Sequence, residues 1–114
     1  MPGVTTPRER ELRAAVVEAR LLPVRLAVAI RAPVSECYRR GGKAILFGNG
    51  GSMTDALHVE GELLGRFAFD RPGVPAVALG GLSALTAIAN DYGYQDVFAR
   101  MLAAQAKPGD VAIG

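Results

Sequence analysis

The chain has 114 residues, half of them hydrophobic, which suffices for the core of one small domain and excludes a disordered tail. Thirteen basic and eleven acidic residues leave a net charge of +2, too small for a polybasic protein that binds nucleic acid. The first residues are polar, the apolar stretch 21–34 contains two prolines and two arginines, and Cys37 has no partner cysteine, so we expect a cytoplasmic protein without leader or membrane span.

Predicted helices and strands alternate along the chain. Apolar residues at helical spacing predict helices over 7–22, 24–32 and 34–40, with Pro23 and Pro33 interrupting the run. The apolar run 44–47 is typical of a strand buried on both faces. The remaining predicted elements are a helix over 53–66, a strand over 75–79, a helix over 84–89 capped by Ser83, a helix over 95–106 and a strand over 111–113. This alternation indicates an α/β fold with a parallel sheet, in which ligands bind beyond the carboxyl ends of the strands.

The segment Gly48-Asn49-Gly50-Gly51-Ser52 joins the first strand to the next helix. Successive glycines let backbone N–H groups converge on an anion, and the helix N-terminus adds positive potential. Asn49 and Ser52 add side-chain hydrogen bonds, but the spacing matches neither a Walker A loop nor a dinucleotide fingerprint. The alternative is a tight turn in which Ser52 is the N-cap, and Ser52 and Asp55 fit a capping box.

The helix after this glycine loop carries a polar stripe. At about 100° per residue, Asp55, His58, Glu62 and Arg66 fall on one side. His58 and Glu62 are spaced i, i+4, so they can supply two metal ligands or a carboxylate base with an imidazole neighbour. The alternative is a solvated stripe with a Glu62–Arg66 ion pair. Two ligands do not complete a zinc site.

Glu60 is the unusual residue of the same helix. Met53, Leu57, Leu64 and Phe67 form the apolar arc opposite the stripe, and Glu60 lies near the middle of that arc. A carboxylate is costly to bury without a partner. Either this side of the helix meets water, or a basic group from elsewhere pairs with Glu60.

Two further positions have a structural and a functional interpretation. Asn90 and Asp91 can reach a polyol hydroxyl, but both are ordinary turn formers. Cys37 is predicted to be a small apolar helix residue, since nothing near it forms a nucleophile–base pair.

Four segments together carry a family resemblance. They are GGKAILFGNGGSMTDALHVEGELLGRF, RPGVPAVAL, SALTAIANDYGYQDVFAR and KPGDVAIG. From about Leu12 to Gly114 the chain closely resembles the N-terminal part of the phosphoheptose isomerases, of the sugar isomerase (SIS) family. The resemblance implies a flavodoxin-like parallel sheet flanked by helices, ending here after its third strand. Residues 1–40 would then be an N-terminal helical segment and residues 41–114 the N-terminal part of a SIS domain.

The resemblance also implies a reaction. Family members form homotetramers with sites at subunit interfaces and convert sedoheptulose 7-phosphate into D-glycero-D-manno-heptose 7-phosphate, a precursor of heptose nucleotides and lipopolysaccharide. Glu62 matches the base that moves a proton between C1 and C2, and His58 and Glu62 match two residues that bind zinc in some members. The implied substrate contacts are Asn49, Gly50, Gly51, Ser52, Asp91 and Arg66.

The chain also departs from the family pattern. Family members continue after the third strand with a Ser/Thr-rich phosphate loop, and later helices supply a glutamine and a histidine that complete the site. Glu60-Gly61 stands where the family has a pair of small, helix-favouring residues. The alternative function is a non-catalytic protein-binding scaffold, similar to the SIS-family proteins that associate with replication initiators.

Overall fold

The computed structural model describes Pro7, residues 32–66 and residues 69–114. The chain divides into two compact units, Met1–Pro33 and Val34–Gly114, and the second contains nearly all of the described residues. The helices predicted over 7–22 and 24–32 lie outside the described part of the chain, apart from Pro7 and Ala32. Residues 32–39 form helix α1, and Pro33 is the second of these helical residues.

Three parallel strands alternate with helices in the second unit. In chain order these elements are β1 (Ala44–Leu46), α2 (Gly51–Leu64), β2 (Ala76–Ala78), α3 (Leu82–Tyr92), a 3-10 turn (Tyr94–Asp96), α4 (Val97–Gln105) and β3 (Val111–Ile113). The strand order is β2-β1-β3, with Ile45 of β1 paired between Val77 and Ala112. The predicted α/β class and parallel sheet are therefore confirmed. Among the helices in the described ranges, none is long and apolar enough to cross a membrane.

Helix α3 is longer than predicted. It begins at Leu82, and its N-cap is Gly81, so Ser83 lies in the first turn and not at the cap. It continues through Asn90 and Asp91, which were predicted to form a turn. The helix ends where Gly93 takes a φ of +104° and donates its N–H to the carbonyl of Ala89. A glycine adopts this φ without the steric cost that a side chain imposes, so the stop comes at Gly93.

Both faces of β1 are covered. Ile45 is fully buried and packs with Leu79, Val97 and Met101 in the hydrophobic core. The pleat turns Ala44 and Leu46 to the opposite face, where they are also buried. The prediction of a strand buried on both faces is confirmed, and so is the burial of Cys37.

Glu60 meets the sheet edge. Pro75 and Leu79 hydrogen-bond to β1, so by alternation Ala78 points its N–H away from β1, toward the outer edge of β2. The Glu60 carboxylate accepts a hydrogen bond from that N–H. The partner of Glu60 is therefore a main-chain amide, and neither of the two predicted environments, water or a basic group, describes this contact. The contact also occupies an edge donor that would otherwise be open to another strand.

Asp110 joins the starts of β1 and β3. Its carboxylate accepts hydrogen bonds from the backbone N–H of Lys43 at 3.0 Å, from Lys43 Nζ at 2.6 Å and from the N–H of Lys107 at 2.8 Å. The hydrogen bond from the Lys43 side chain is the largest of the effects that lower the pKa of Asp110 to about 2. Since Lys43 directly precedes β1 and Asp110 directly precedes β3, the contact helps to hold β3 in register with β1.

The Asp110 contacts predict an acid-sensitive contribution to stability. Because the pKa is lowered on folding, the contribution is present above the unfolded value of 3.8 and is lost as the pH falls toward 2. Asp110→Asn should therefore destabilise the protein at pH 7, with the difference from wild type shrinking between pH 4 and pH 2. Urea unfolding across this range measures it, and Asp70→Asn, at an exposed carboxylate, is the matched control. A difference that does not change with pH would contradict this assignment.

The Glu60 contact predicts that the Ala78 amide is protected from hydrogen exchange. Glu60→Ala should accelerate hydrogen exchange at Ala78 and reduce the free energy of unfolding by about 1–3 kcal/mol, since a part-buried donor loses its acceptor. Glu60→Gln keeps an acceptor oxygen and should retain most of the protection. Amide exchange followed by NMR measures both, with the exposed Glu36→Ala as control. Unchanged exchange at Ala78 in Glu60→Ala would show that the contact does not form.

Candidate active site

The glycine loop leaves the carboxyl end of the central strand. Phe47, directly after β1, donates its N–H to the carbonyl of Ile113 at 3.1 Å and so still belongs to the ladder with β3. The chain then turns at once into α2. A Cβ on Gly48 would lie 2.5 Å from the Cβ of Ser52, so only glycine permits this approach. Because β1 lies between β2 and β3, the loop lies at the point where the strand order reverses, which is where ligands bind in open α/β sheets.

Helix α2 begins earlier than predicted, at Gly51, and Ser52 is not its N-cap. The N-cap is Gly50, with a φ of +53°, and no side chain caps the helix, so the predicted capping box with Asp55 does not form. Main-chain bonds close the first turn, with the N–H of Ser52 on the carbonyl of Asn49 and the N–H of Met53 on that of Gly50. These bonds satisfy the amides that a capping side chain would have served.

Three amides at the N-terminal end of α2 have no hydrogen-bond acceptor among the described residues. Within the described residues, the N–H groups of Asn49, Gly50 and Gly51 donate no hydrogen bond. All three lie at the N-terminus of α2, where the helix dipole favours negative charge. The geometry therefore suits the anion-binding interpretation, while the tight-turn alternative is right about the shape of the loop and wrong about the role of Ser52.

His58 and Glu62 form a pair on α2. His58 Nε2 lies 2.7 Å from Glu62 Oε1, and an ionised carboxylate only accepts, so the imidazole donates. The side chains are 70% and 36% exposed. The alternative Glu62–Arg66 ion pair is not formed within the described part of the chain, where Glu62 pairs with His58. The i, i+4 spacing thus brings together the two residues that the sequence analysis selected.

The two side chains supply only part of a metal site. Among the residues that the structure describes, no group of three or more His, Cys, Asp or Glu side chains is placed to hold a metal ion. A protein zinc site takes three or four such ligands. A metal ion at His58 and Glu62 would therefore need further ligands from outside the described residues.

The carboxyl end of α2 is fixed by the segment that follows it. The Arg71 guanidinium donates to the carbonyl of Glu62 at 2.9 Å and to that of Leu63 at 3.2 Å, and the N–H of Val74 donates to the same Leu63 carbonyl at 2.9 Å. These contacts satisfy carbonyls that a longer helix would have used, and α2 stops at Leu64. The prediction of a helix extending to residue 66 was therefore too long, and Arg66 lies exposed beyond the helix end.

The apolar arc of α2 is only partly buried. Ala56 is buried and Met53 half-buried, whereas Leu57 and Leu64 are exposed, so that flank is not covered within the described residues. The fourth predicted member of the arc, Phe67, lies outside the described residues.

Asp91 and its neighbours lie at the end of α3. Asn90 Nδ2 donates to Asp91 Oδ1 at 3.1 Å, and both side chains are exposed. Three residues later, the Tyr94 hydroxyl donates to Oδ1 of Asn49 in the glycine loop. The sequence analysis missed Tyr94, because neither spacing nor residue type distinguishes it from an ordinary surface aromatic residue.

Comparison with known proteins adds the family. Residues 10–114 match the pattern of the SIS domain, which is almost the whole chain. The chain belongs to the SIS domain family. Its fold also matches solved SIS-family structures, with a TM-score of 0.70 and 34% identity to a phosphoheptose isomerase from Neisseria gonorrhoeae, over 96% of this chain and 60% of that one. A phosphoheptose isomerase from Francisella tularensis gives a TM-score of 0.69 and 38% identity, over 91% of this chain and 55% of that one.

Curated relatives of this SIS-domain chain are named phosphoheptose isomerases, as the two solved structures are. A phosphoheptose isomerase from Burkholderia pseudomallei is 50% identical over 103 residues, covering 87% of this chain and 52% of the relative. A phosphoheptose isomerase from Roseiflexus is 53% identical over 90 residues, covering 78% of this chain and 46% of the relative. The chain thus spans about half the length of the curated relatives it matches, and the predicted resemblance is confirmed.

The close approach at Gly48 predicts that alanine substitution at two different glycines has opposite effects on stability. Gly48→Ala should destabilise the SIS domain by about 1–3 kcal/mol, because the new methyl group would overlap Ser52 and displace the first turn of α2. Gly61→Ala, within α2, is the matched control, because a Cβ there meets nothing within 4 Å. It should stabilise the protein by about 0.5–1 kcal/mol, since alanine favours a helix interior. Denaturant unfolding of both variants tests this, and equal effects would refute the packing argument.

Proposed function

We propose that the protein containing this chain is an isomerase that converts sedoheptulose 7-phosphate into D-glycero-D-manno-heptose 7-phosphate, a precursor for heptose nucleotides and lipopolysaccharide. The observation that carries the proposal is the His58–Glu62 pair on the same helix whose N-terminus carries the glycine loop. The names of relatives at about 50% identity support it.

The spacing along α2 suits an extended ligand. Ser52 and Glu62 are ten residues apart, which is about 15 Å along the helix axis. The glycine loop and Glu62 therefore contact different parts of one substrate. A sugar phosphate several carbons long can place oxygens at the loop amides, Asn49 and Ser52, and its first carbons near Glu62. Arg66, four residues beyond Glu62, and Asp91 are further candidate contacts.

Glu62 is the proposed base. His58 holds Oε1, and Oε2 has no partner in the described part of the chain, so Oε2 is the oxygen that takes the proton from C1 of the ketose. The C–H electron pair forms the C1–C2 double bond while the C2 carbonyl pair moves onto O2, which gives an enediolate. The O1 hydroxyl proton then passes to O2, the C1 carbonyl forms as the double-bond pair moves to C2, and Glu62 returns its proton there. Hydrogen-bond donors around the sugar oxygens stabilise the charge that develops during the transfer.

Zinc binding is part of the proposal, because the side chains of the His58–Glu62 pair are types that bind zinc. His58 and Glu62 are suitable ligand types, and any further ligands would have to come from outside the described residues. The proposed proton transfer uses Glu62 alone.

Assembly belongs to the same proposal. The His58–Glu62 pair is accessible to solvent and the neighbouring Leu57, Leu64 and Leu82 are exposed, whereas isomerisation through an enediol benefits from a site that excludes water. A further chain in a homotetramer would supply that cover. A cytoplasmic location is proposed with it, since the free thiol of Cys37 fits a reducing compartment.

Turnover of the complete gene product with sedoheptulose 7-phosphate tests the proposal. Glu62→Gln keeps the shape and the hydrogen bond to His58 but removes the base, and kcat should fall at least 100-fold, roughly the lower limit for a positioned general base. Detection of the aldose product by NMR or by a coupled assay measures it.

Glu36→Gln is the matched control, because Glu36 is an exposed helix carboxylate whose contacts are ion pairs with Arg39 and Arg40. It should leave turnover within about twofold of wild type, since exposed pairs contribute little. Wild-type turnover that survives Glu62→Gln would remove Glu62 from the role of base. A complete gene product without turnover would reject the isomerase and favour the non-catalytic scaffold.

A further inference from the structure

A hydrogen bond joins two distant parts of the chain beside the glycine loop. The Tyr94 hydroxyl, in the 3-10 turn, donates to Oδ1 of Asn49, 45 residues earlier. Both residues are exposed, so the contact lies where a ligand can reach the loop. Nothing in the proposed proton transfer uses Tyr94.

The contact determines which part of Asn49 a ligand meets. An asparagine amide has one acceptor oxygen and a nitrogen with two donor hydrogens. With Oδ1 engaged by Tyr94, Nδ2 is the free group. Together with the unused N–H groups of Asn49, Gly50 and Gly51, it adds to a set of donors at the loop. A surface of donors selects for the acceptor oxygens of a phosphate or a sugar.

The segment that carries Tyr94 is anchored in the hydrophobic core. Gly93, with its positive φ, ends α3 and turns the chain into the 3-10 helix, and Val97 directly after that helix is fully buried in the core. The next residue, Phe98, packs against Phe47 with ring centroids 5.2 Å apart and the ring planes tilted by 39°. Phe47 immediately precedes the glycine loop. One aromatic contact therefore fixes the loop and the segment that carries Tyr94 relative to each other.

We infer that Tyr94 is a positioning residue for the glycine loop, which orients the Asn49 amide so that Nδ2 donates to the bound sugar phosphate. The inference rests on the proposed function for its ligand. Tyr94 acts through Asn49 and not on the reacting carbons, so its loss weakens binding and leaves the proton transfer unchanged.

Tyr94→Phe in the complete gene product tests the inference, with Tyr92→Phe as matched control. Tyr92 is two residues away and equally exposed, and its ring, which lies 3.7 Å below the Arg100 guanidinium, survives the change to phenylalanine. Tyr94→Phe should raise KM for sedoheptulose 7-phosphate by about threefold to tenfold, the range for loss of one hydrogen bond, with kcat within twofold of wild type. Tyr92→Phe should change neither constant.

A double-variant cycle separates positioning from general stability. In an Asn49→Ala background, Tyr94→Phe should have no further effect on KM, because the group that it orients is absent. Effects of the two changes that simply multiply would overturn the inference, as would a fall in kcat at constant KM.

A measurement without substrate keeps the inference independent of turnover. The Nδ2 hydrogens of Asn49 give their own NMR signals, and ¹⁵N relaxation reports the order of this amide. Order should fall in Tyr94→Phe and stay unchanged in Tyr92→Phe, and an amide equally ordered in all three proteins would overturn the inference. If the wild type neither binds nor converts the sugar phosphate, the proposed function fails. If the wild type turns over normally and Tyr94→Phe matches it in KM, only the role of Tyr94 fails.

Discussion

The structure depends on the way the chain leaves its central strand. Strand β1 is buried on both faces and paired on both edges, so the loop that follows it has to leave the sheet beyond the carboxyl end of the strand. Helix α2 starts five residues later and returns the chain to β2, which forces the loop to turn in very little space. Gly48 permits the close approach to Ser52, and Gly50 adopts a positive φ. The same tight turn leaves the N–H groups of Asn49, Gly50 and Gly51 without an acceptor among the described residues, so a packing requirement creates this set of donors.

One side of helix α2 contacts the sheet, and the other side carries residues of the candidate site. Ala56 is buried toward the interior and Glu60 holds the outer edge of β2. Glu60 is about 160° around the helix from both His58 and Glu62, so its tether to the sheet directs the pair away from the sheet. Arg71 fixes the last carbonyls of the helix, one of which belongs to Glu62. Contacts remote from the chemistry thus determine the direction of the candidate base.

The candidate site combines one helix with elements distant in sequence. The loop and the His58–Glu62 pair follow one another along the chain at α2, whereas Tyr94 lies just beyond the C-terminal end of α3. The packing of Phe47 against Phe98 brings these segments together. The solved relatives share this fold over most of the described chain, and the chain spans about half of their length.

Local periodicity accounts for most of what the sequence predicted correctly. Burial of Ile45 follows from a continuous apolar run, and the parallel α/β class follows from the alternation of strands with helices. The pairing of His58 with Glu62 follows from a spacing of four residues, because such neighbours are set by the geometry of a single helix. Element ends were predicted less well. Ser52 and Ser83 resemble caps, but neighbouring glycines and main-chain bonds took that role, and Asn90 and Asp91 joined a helix despite their preference for turns.

The sequence by itself determined the elements, the family and the pair on α2. Only the tertiary structure decided the partner of Glu60, the register contact of Asp110 and the bond between Tyr94 and Asn49. Each of these joins residues between 18 and 67 positions apart. Such contacts depend on how strands and helices pack in three dimensions, and no periodicity within a single element encodes them.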